Sequence, residues 1–239
     1  MLTARPHKMK VLIFGATGMV GQGVLRECLL APDIEFVETV GRTATQRTDS
    51  KLKDLVHSDL LNYANIEFSL REFDACFFCL GISSAGMTEV DYDKVTYGIA
   101  TAAAQALYRL NPAMTFIFVS GAGADSSEKG RIMWARVKGR TENAILHMPF
   151  KGAYIFRPAI IQPLANVQSK TAAYRIAYKI TGPLLPLLRR LFPRYILTTE
   201  EIGQAMIDVA QFGAPKKVLE SADIRECATS RQNRSGRPV

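Results

Sequence analysis

The 239-residue chain is expected to fold as an α/β protein built on a parallel sheet, and two observations predict it. Apolar strand-like runs alternate with amphipathic runs of helix length, as parallel sheets with crossover helices require. The first strand also leads into a glycine-rich turn that opens directly into a helix. Hydrophobic residues make up 48% and charged residues 22%, ordinary globular values that exclude a disordered, collagenous or coiled-coil protein. The length suits one large domain, or one domain carrying a small sub-domain.

Lys10 to Phe14 is the first strand and Gly18 to Leu30 the first helix. Phe36 to Val40 is the second strand, with a third near Leu55 to His57 and a strong fourth at Ala75 to Leu80. Asp91 to Leu110 reads as one long helix, stopped by Asn111-Pro112. Thr115 to Val119 is the fifth strand, 130–147 a helix halted by Pro149, and Ala153 to Phe156 the sixth strand. Prolines at 158, 163, 183, 186 and 193 then break the pattern, so 158–198 is expected to be a helical lid over the substrate. Thr198 or Thr199 can cap a helix that begins Glu200-Glu201 and ends near Gly213, and Lys217 to Glu220 is a last strand. The expected organisation is a flexible arm over 1–9, a dinucleotide-binding domain over 10–157, the lid over 158–198, a return to the first domain over 199–224, and a disordered basic tail over 225–239.

The net charge is +8, and its distribution argues against nucleic acid. Much of it lies in the two termini. Between Glu142 and Glu200 there is no acid, while Lys151, Arg157, Lys170, Arg175, Lys179, Arg189, Arg190 and Arg194 all fall there. Such a stretch suits an anionic small-molecule substrate or weak peripheral membrane contact, or it is a solvated face. Gly182, Pro183 and Pro186 interrupt Tyr174 to Arg194, which argues against one continuous surface helix. No apolar run reaches a transmembrane length and no signal-peptide core is present, so a soluble cytoplasmic protein is expected. Cys76 and Cys79 have C-x-x-C spacing but sit in a strand-like run, where residues three apart face opposite sides. They are expected to be core thiols, and with three scattered histidines no metal site is expected.

The most informative stretch is Gly15-Ala16-Thr17-Gly18-Met19-Val20-Gly21. Glycines spaced G-x-x-G-x-x-G between a strand and a helix suit a dinucleotide pyrophosphate: the first for the turn, the second for close approach of backbone to phosphate, the third for helix packing. The N–H groups at the helix start and the helix dipole favour the phosphate charge. The fold class narrows accordingly to a Rossmann-type doubly wound parallel sheet with a small C-terminal helical lid. An NAD site usually has a carboxylate at the end of the second strand. Here that strand ends Gly41-Arg42-Thr43, and Glu38 comes too early. A guanidinium suits a 2′-phosphate, so Arg42 is expected to favour NADP(H) over NAD(H). Asp59 and Leu60 are placed to hold the adenine, and Gly81, Ile82 and Ser83 to line the cofactor beyond the fourth strand.

These motifs, with Phe78-Cys79-Leu80-Gly81, Val90-Asp91-Tyr92-Asp93, Val119 to Asp125, Lys138-Gly139-Arg140-Thr141-Glu142 and Phe156-Arg157-Pro158, resemble the short-chain dehydrogenase/reductase superfamily. The resemblance is to its atypical branch of NmrA-like and Tat-interacting-protein-like NAD(P)H-binding oxidoreductases, and it covers roughly residues 10–212. It implies cofactor contacts at Leu80, Lys138, Arg157 and Pro158. It also implies a catalytic Ser, Tyr and Lys, with Tyr and Lys four apart on one helix. Ser120 matches the serine and Lys138 the lysine, but Trp134 stands at the tyrosine position. An indole N–H donates a hydrogen bond but cannot cycle a proton. Ser120, Tyr97, Tyr174 and Tyr178 are the alternative donors. The expected function is an NADP(H)-dependent oxidoreductase of the atypical short-chain type acting on a carbonyl-type substrate. The competing expectation is an NADP(H)-binding regulatory or scaffold protein without dehydrogenase activity.

Overall fold

A computed structural model describes residues 8–163 and 195–235, and elements are numbered over those residues. Seven parallel strands form one sheet in the order β3-β2-β1-β4-β5-β6-β9: β1 (Met9–Phe14), β2 (Ile34–Gly41), β3 (Leu52–Val56), β4 (Ala75–Phe78), β5 (Thr115–Val119), β6 (Gly152–Arg157) and β9 (Val218–Glu220). Helices α1 (Met19–Leu30), α2 (Glu89–Asp93), α3 (Ile99–Leu110), α4 (Met133–Leu146), α5 (Thr199–Phe212) and α6 (Ser221–Ser235) cover it. The strand order reverses between β1 and β4, and ligands of such sheets bind outside the carboxyl ends of the strands at that switch point.

The central strands are buried on both faces, so their sequences run apolar without alternation. Val11, Ile13, Phe77 and Ile117 pack with Val24 and Leu25 of α1 and Ile202 and Met206 of α5. Leu12, Phe14, Phe78 and Phe116 pack on the other face with Ala103 and Leu107 of α3 and Ile145 of α4. Cys76 belongs to the second group and Cys79 packs against the first, as their spacing in a strand requires. Burial raises the pKa of both thiols, so they are inert core groups.

Several boundaries differ from the sequence expectation. The third strand is Leu52–Val56 rather than Leu55 to His57, because register with β2 is set by Val37 facing Leu52. The long helix expected from Asp91 starts at Glu89, where the Thr88 hydroxyl accepts the Asp91 N–H at 3.2 Å. It is interrupted by one π-helical turn, Lys94–Gly98, a type of irregularity frequent at functional sites. The stretch 158–198 is strand at both described ends: β7 (Ile160–Gln162) pairs in parallel with β8 (Ile196–Thr198). The rest of the expected lid, 164–194, with Lys170, Tyr174, Arg175, Tyr178, Lys179, Arg189, Arg190 and Arg194, lies outside the described residues.

The start of α5 follows its sequence signal. Thr198 Oγ1 accepts from Glu201 N at 3.0 Å, Glu201 Oε2 accepts from Thr198 N at 2.7 Å, and Gly213 closes the helix at φ +75°.

The tail expected to be disordered is instead α6, through Ser235. Its polar sequence hides the reason, because polar anchors hold it as much as an apolar stripe does. Ile224 and Ala228 are buried. Arg231 makes two bonds to Asp33 at 3.0 and 2.7 Å, Arg234 pairs with Asp208, and Gln232 donates to Gln204 at 2.8 Å. These arginines are consumed within the fold. Arg231→Ala is therefore expected to destabilise the protein by about 1.5–3 kcal/mol, the range for hydrogen bonds to charged groups. Denaturant unfolding checks it, and an unchanged midpoint would restore the free tail.

Candidate functional site

Two separate groups of residues lie toward the carboxyl ends of the strands. The first is a cleft of about 560 Å³. Gly15, Ala16, Thr17 and Gly18 form one wall, Gly41 and Arg42 the end of β2, Asp59 and Leu60 the loop after β3, and Leu80, Gly81 and Ile82 the segment after β4. Val95 of the π-helical turn and Ile99 of α3 border it as well.

The loop geometry follows from its glycines. Gly15 has φ +77°, and a Cβ there would lie 2.6 Å from Leu80 Cα, so only glycine lets the turn pass so close to β4. Gly18 caps α1 with no side-chain hydrogen bond, and its N–H donates to Gly15 O at 2.9 Å. At Gly21 a Cβ would stand 2.1 Å from Gly15 O, so Gly21 seats the helix against the loop. Met19 and Val20, expected as cofactor contacts, lie in the first turn of α1 and do not line the cleft; Gly21 acts through packing.

At the end of β2 the carboxylates are committed elsewhere. Glu38 is buried and pairs with Lys53 at 2.9 Å. Asp54 accepts from Thr39 Oγ1 at 2.5 Å and from Thr45 N and Oγ1, both at 2.9 Å, which ties down the loop that carries Arg42. Arg42 is exposed and forms no ion pair among the described residues. Asp59 also accepts the Leu61 N–H at 3.1 Å. Ser83, expected beside Gly81 and Ile82, is exposed outside the cleft lining, and its hydroxyl accepts the Ala85 N–H.

The second group lies on α4 and the end of β5. Ser120 directly follows β5. Its hydroxyl donates to Oε1 of Glu142, a fully buried carboxylate. Arg157 Nε donates to both Glu142 oxygens at 3.0 and 3.1 Å, and its Nη2 donates to Glu142 and, at 2.7 Å, to Ser126 Oγ. Arg157 Nη1 reaches Glu220 at 3.4 Å. The Glu142 contact holds the Arg157 pKa above its ordinary value. Arg157, expected as a cofactor contact and as part of a basic surface, is thus an internal counter-ion. Pro158 is buried, and its carbonyl accepts the Ala122 N–H at 3.1 Å; neither residue lines the cleft.

Glu142 is the residue that sequence reasoning missed. The signal was its position, one helical turn beyond Lys138 and two beyond Trp134. Lys138 Nζ stands 5.6 Å from the centroid of the Phe118 ring, and burial depresses its pKa to about 8 against the opposing pull of Glu142. Trp134 is half-buried, with Cη2 3.5 Å from where a Cβ on Gly123 would sit. Tyr97 lies under the Arg140 guanidinium at 4.1 Å and does not line the cleft. Ser120, Trp134 and Lys138 likewise lie outside the cleft lining.

No protein-family model matches the chain. Among curated proteins, it is 26% identical over 204 residues to "Protein FMP52, mitochondrial" of Meyerozyma guilliermondii, covering 84% of this chain and 85% of that one. It is 29% identical over 213 residues to the protein of the same name in Candida albicans, covering 86% and 89%. These names place the relatives in mitochondria and overturn the expectation of a cytoplasmic protein. Among solved structures, the Bordetella bronchiseptica enzyme WbmF in complex with NAD+ superposes with a TM-score of 0.66 at 13% identity, over 99% of this chain and 81% of that one. A short-chain dehydrogenase/reductase from Saccharomyces cerevisiae superposes with a TM-score of 0.60 at 13% identity, over 90% and 96%. Among the described residues no helix is long and apolar enough to cross a membrane. The chain therefore shares the fold of these solved structures, a parallel sheet covered by helices.

Proposed function

We propose that the cleft binds NADP(H) and that the protein is an NADP(H)-dependent oxidoreductase acting on a carbonyl-type substrate. The observation that carries the reading is the cleft itself, which a glycine loop lines together with an Arg42 that forms no ion pair among the described residues, while both nearby acids on the strands, Glu38 and Asp54, are tied to other partners. The cradle fits a dinucleotide. The loop of α1 has no side chain capping the helix start, which leaves that end suited to pyrophosphate. A Cβ on Gly81 would meet nothing within 4 Å, so the wall beyond β4 has room. When bound, the nicotinamide supplies or accepts hydride; Arg42 would hold the 2′-phosphate and Gly15 to Gly18 the pyrophosphate. In keeping with the names of its relatives, we place the protein in mitochondria, which organelle fractionation of the source cells tests.

A second reading is favoured by one observation. The Ser120 hydroxyl has a single proton, and it is given to Glu142, so Ser120 offers a carbonyl no donor in this state. An NADP(H)-binding regulator would tolerate that arrangement. Thermal shift with NADPH, followed by NADPH oxidation against quinones, aldehydes and ketones, separates the readings: stabilisation with turnover supports the enzyme, and stabilisation alone the regulator. Arg42→Ala is expected to weaken NADPH binding by about 1.5–3 kcal/mol, as for a lost hydrogen bond to a charged group, and to leave NADH binding unchanged. An equal loss for both nucleotides would remove Arg42 from the 2′-phosphate.

A further inference from the structure

We propose that Asp54 is the positioning residue for nucleotide selectivity: it pins the turn that carries Arg42, so that the guanidinium is held at the cleft before NADPH arrives. The inference rests on the NADP(H) reading above and deepens it by naming what holds Arg42 in place.

The turn leaves β2 at Gly41 and enters β3 at Leu52. Its first part borders the cleft, where Thr39, Gly41, Arg42, Thr43 and Thr45 all line the wall. Arg42, Thr43 and Ala44 are exposed, and fixing such backbone costs conformational entropy unless the fold already holds it. Two anchors hold it here. At the start, Gly41 faces Val56 in the β2–β3 ladder, and Gly41 O accepts the His57 N–H at 2.8 Å. At the half-buried Thr45, Asp54 Oδ2 accepts both the backbone N–H and the hydroxyl, each at 2.9 Å. Only Arg42, Thr43 and Ala44 lie between the anchors. Beyond Thr45 the chain turns at Gln46, with φ +59°.

Asp54 is itself fixed by the sheet. It faces Thr39 across the ladder, and its Oδ1 accepts the Thr39 hydroxyl at 2.5 Å. One carboxylate oxygen therefore grips the strand and the other grips the turn. The rigidity of the sheet passes to three residues at the cleft, and Arg42 still forms no ion pair among the described residues.

NADPH differs from NADH only in its 2′-phosphate. The other cleft walls, the glycine loop and the segment after β4, are built by elements that Asp54 does not hydrogen-bond among the described residues. Loss of the pin should therefore fall on NADPH alone. A carboxylate near a phosphate would by itself oppose NADPH, so positioning and bare charge predict opposite signs when Asp54 is removed.

The test is calorimetric titration of NADPH and NADH into native protein, Asp54→Ala, Asp54→Asn, Thr45→Val, Arg42→Ala and the double variant of Arg42→Ala with Asp54→Ala. Asp54→Ala should weaken NADPH about tenfold, the cost of ordering one backbone residue on binding, and leave NADH unchanged. Asp54→Asn should restore native NADPH affinity, because its carbonyl can accept both Thr45 donors while its amide donates to the Thr39 hydroxyl. Thr45→Val removes one hydrogen bond and leaves the ladder intact. It should show a smaller loss for NADPH alone, and it decides the matter if Asp54→Ala does not fold. In the Arg42→Ala background, Asp54→Ala should cost NADPH nothing further, because the two residues act as one unit. Equal losses for both nucleotides, tighter NADPH binding in Asp54→Ala, an unchanged preference in Asp54→Ala or Thr45→Val, or additive losses in the double variant would overturn the proposal. Native protein with no preference for NADPH would instead sink the NADP(H) reading, and the proposal with it.

Discussion

Replacing Glu142 with alanine should destabilise the protein by about 3–5 kcal/mol, the usual cost of removing one partner of a buried ion pair. Glu142 is fully buried and takes hydrogen bonds from Ser120 and from two nitrogens of Arg157. Without it, Arg157, whose side chain is 14% exposed, retains among the described residues only Ser126 and a long contact to Glu220. At this chain length the loss corresponds to a fall in Tm of roughly 10 °C. Glu142→Gln keeps an acceptor for Ser120 while removing the charge, and should lie between native and Glu142→Ala. Differential scanning calorimetry of the three proteins decides it; a Glu142→Ala transition within a degree of native would mean that Arg157 is not held there.

The second large effect separates two glycines of one loop. A Cβ at Gly21 would meet Gly15 O at 2.1 Å and Gly15 C at 2.7 Å. These are backbone atoms of a turn already pressed against Leu80, so the helix must shift. Gly21→Ala should therefore cost about 1–3 kcal/mol, as overpacking does, and weaken nucleotide binding by distorting the loop. A Cβ at Gly18 would meet only Gly15 O, at 3.2 Å, which a small adjustment relieves. Gly18→Val should stay folded and lose NADPH binding at least tenfold, because its side chain stands where backbone must approach phosphate. Unfolding midpoints with calorimetric titration read both variants; native affinity in folded Gly18→Val would remove the loop from phosphate binding.

The sheet was legible because its strands are buried on both faces, so an apolar run such as Ala75 to Phe78 marks a strand without periodicity. The turn between β1 and α1 was legible because its glycines answer to local backbone demands. The end of the chain was not, because α6 is held by Arg231 on Asp33 and Arg234 on Asp208, partners about 198 and 26 residues away in sequence. Arg157 was misassigned for the same reason. Its motif was visible, but its partner Glu142 lies on another element, and sequence adjacency to a cofactor-side turn says nothing of where a guanidinium points. The short β7–β8 ladder joins strands from either end of a long insertion, a pairing that no local pattern announces.

The account stands most directly on calorimetric titration of the native protein with NADPH and, in parallel, NADH. The glycine loop, the committed carboxylates at the end of β2 and an Arg42 without an ion pair among the described residues predict saturable binding of NADPH at one site per chain, at least tenfold tighter than NADH, a margin that corresponds to one charge-assisted hydrogen bond. Equal affinity for the two nucleotides, or no binding of either, would contradict it.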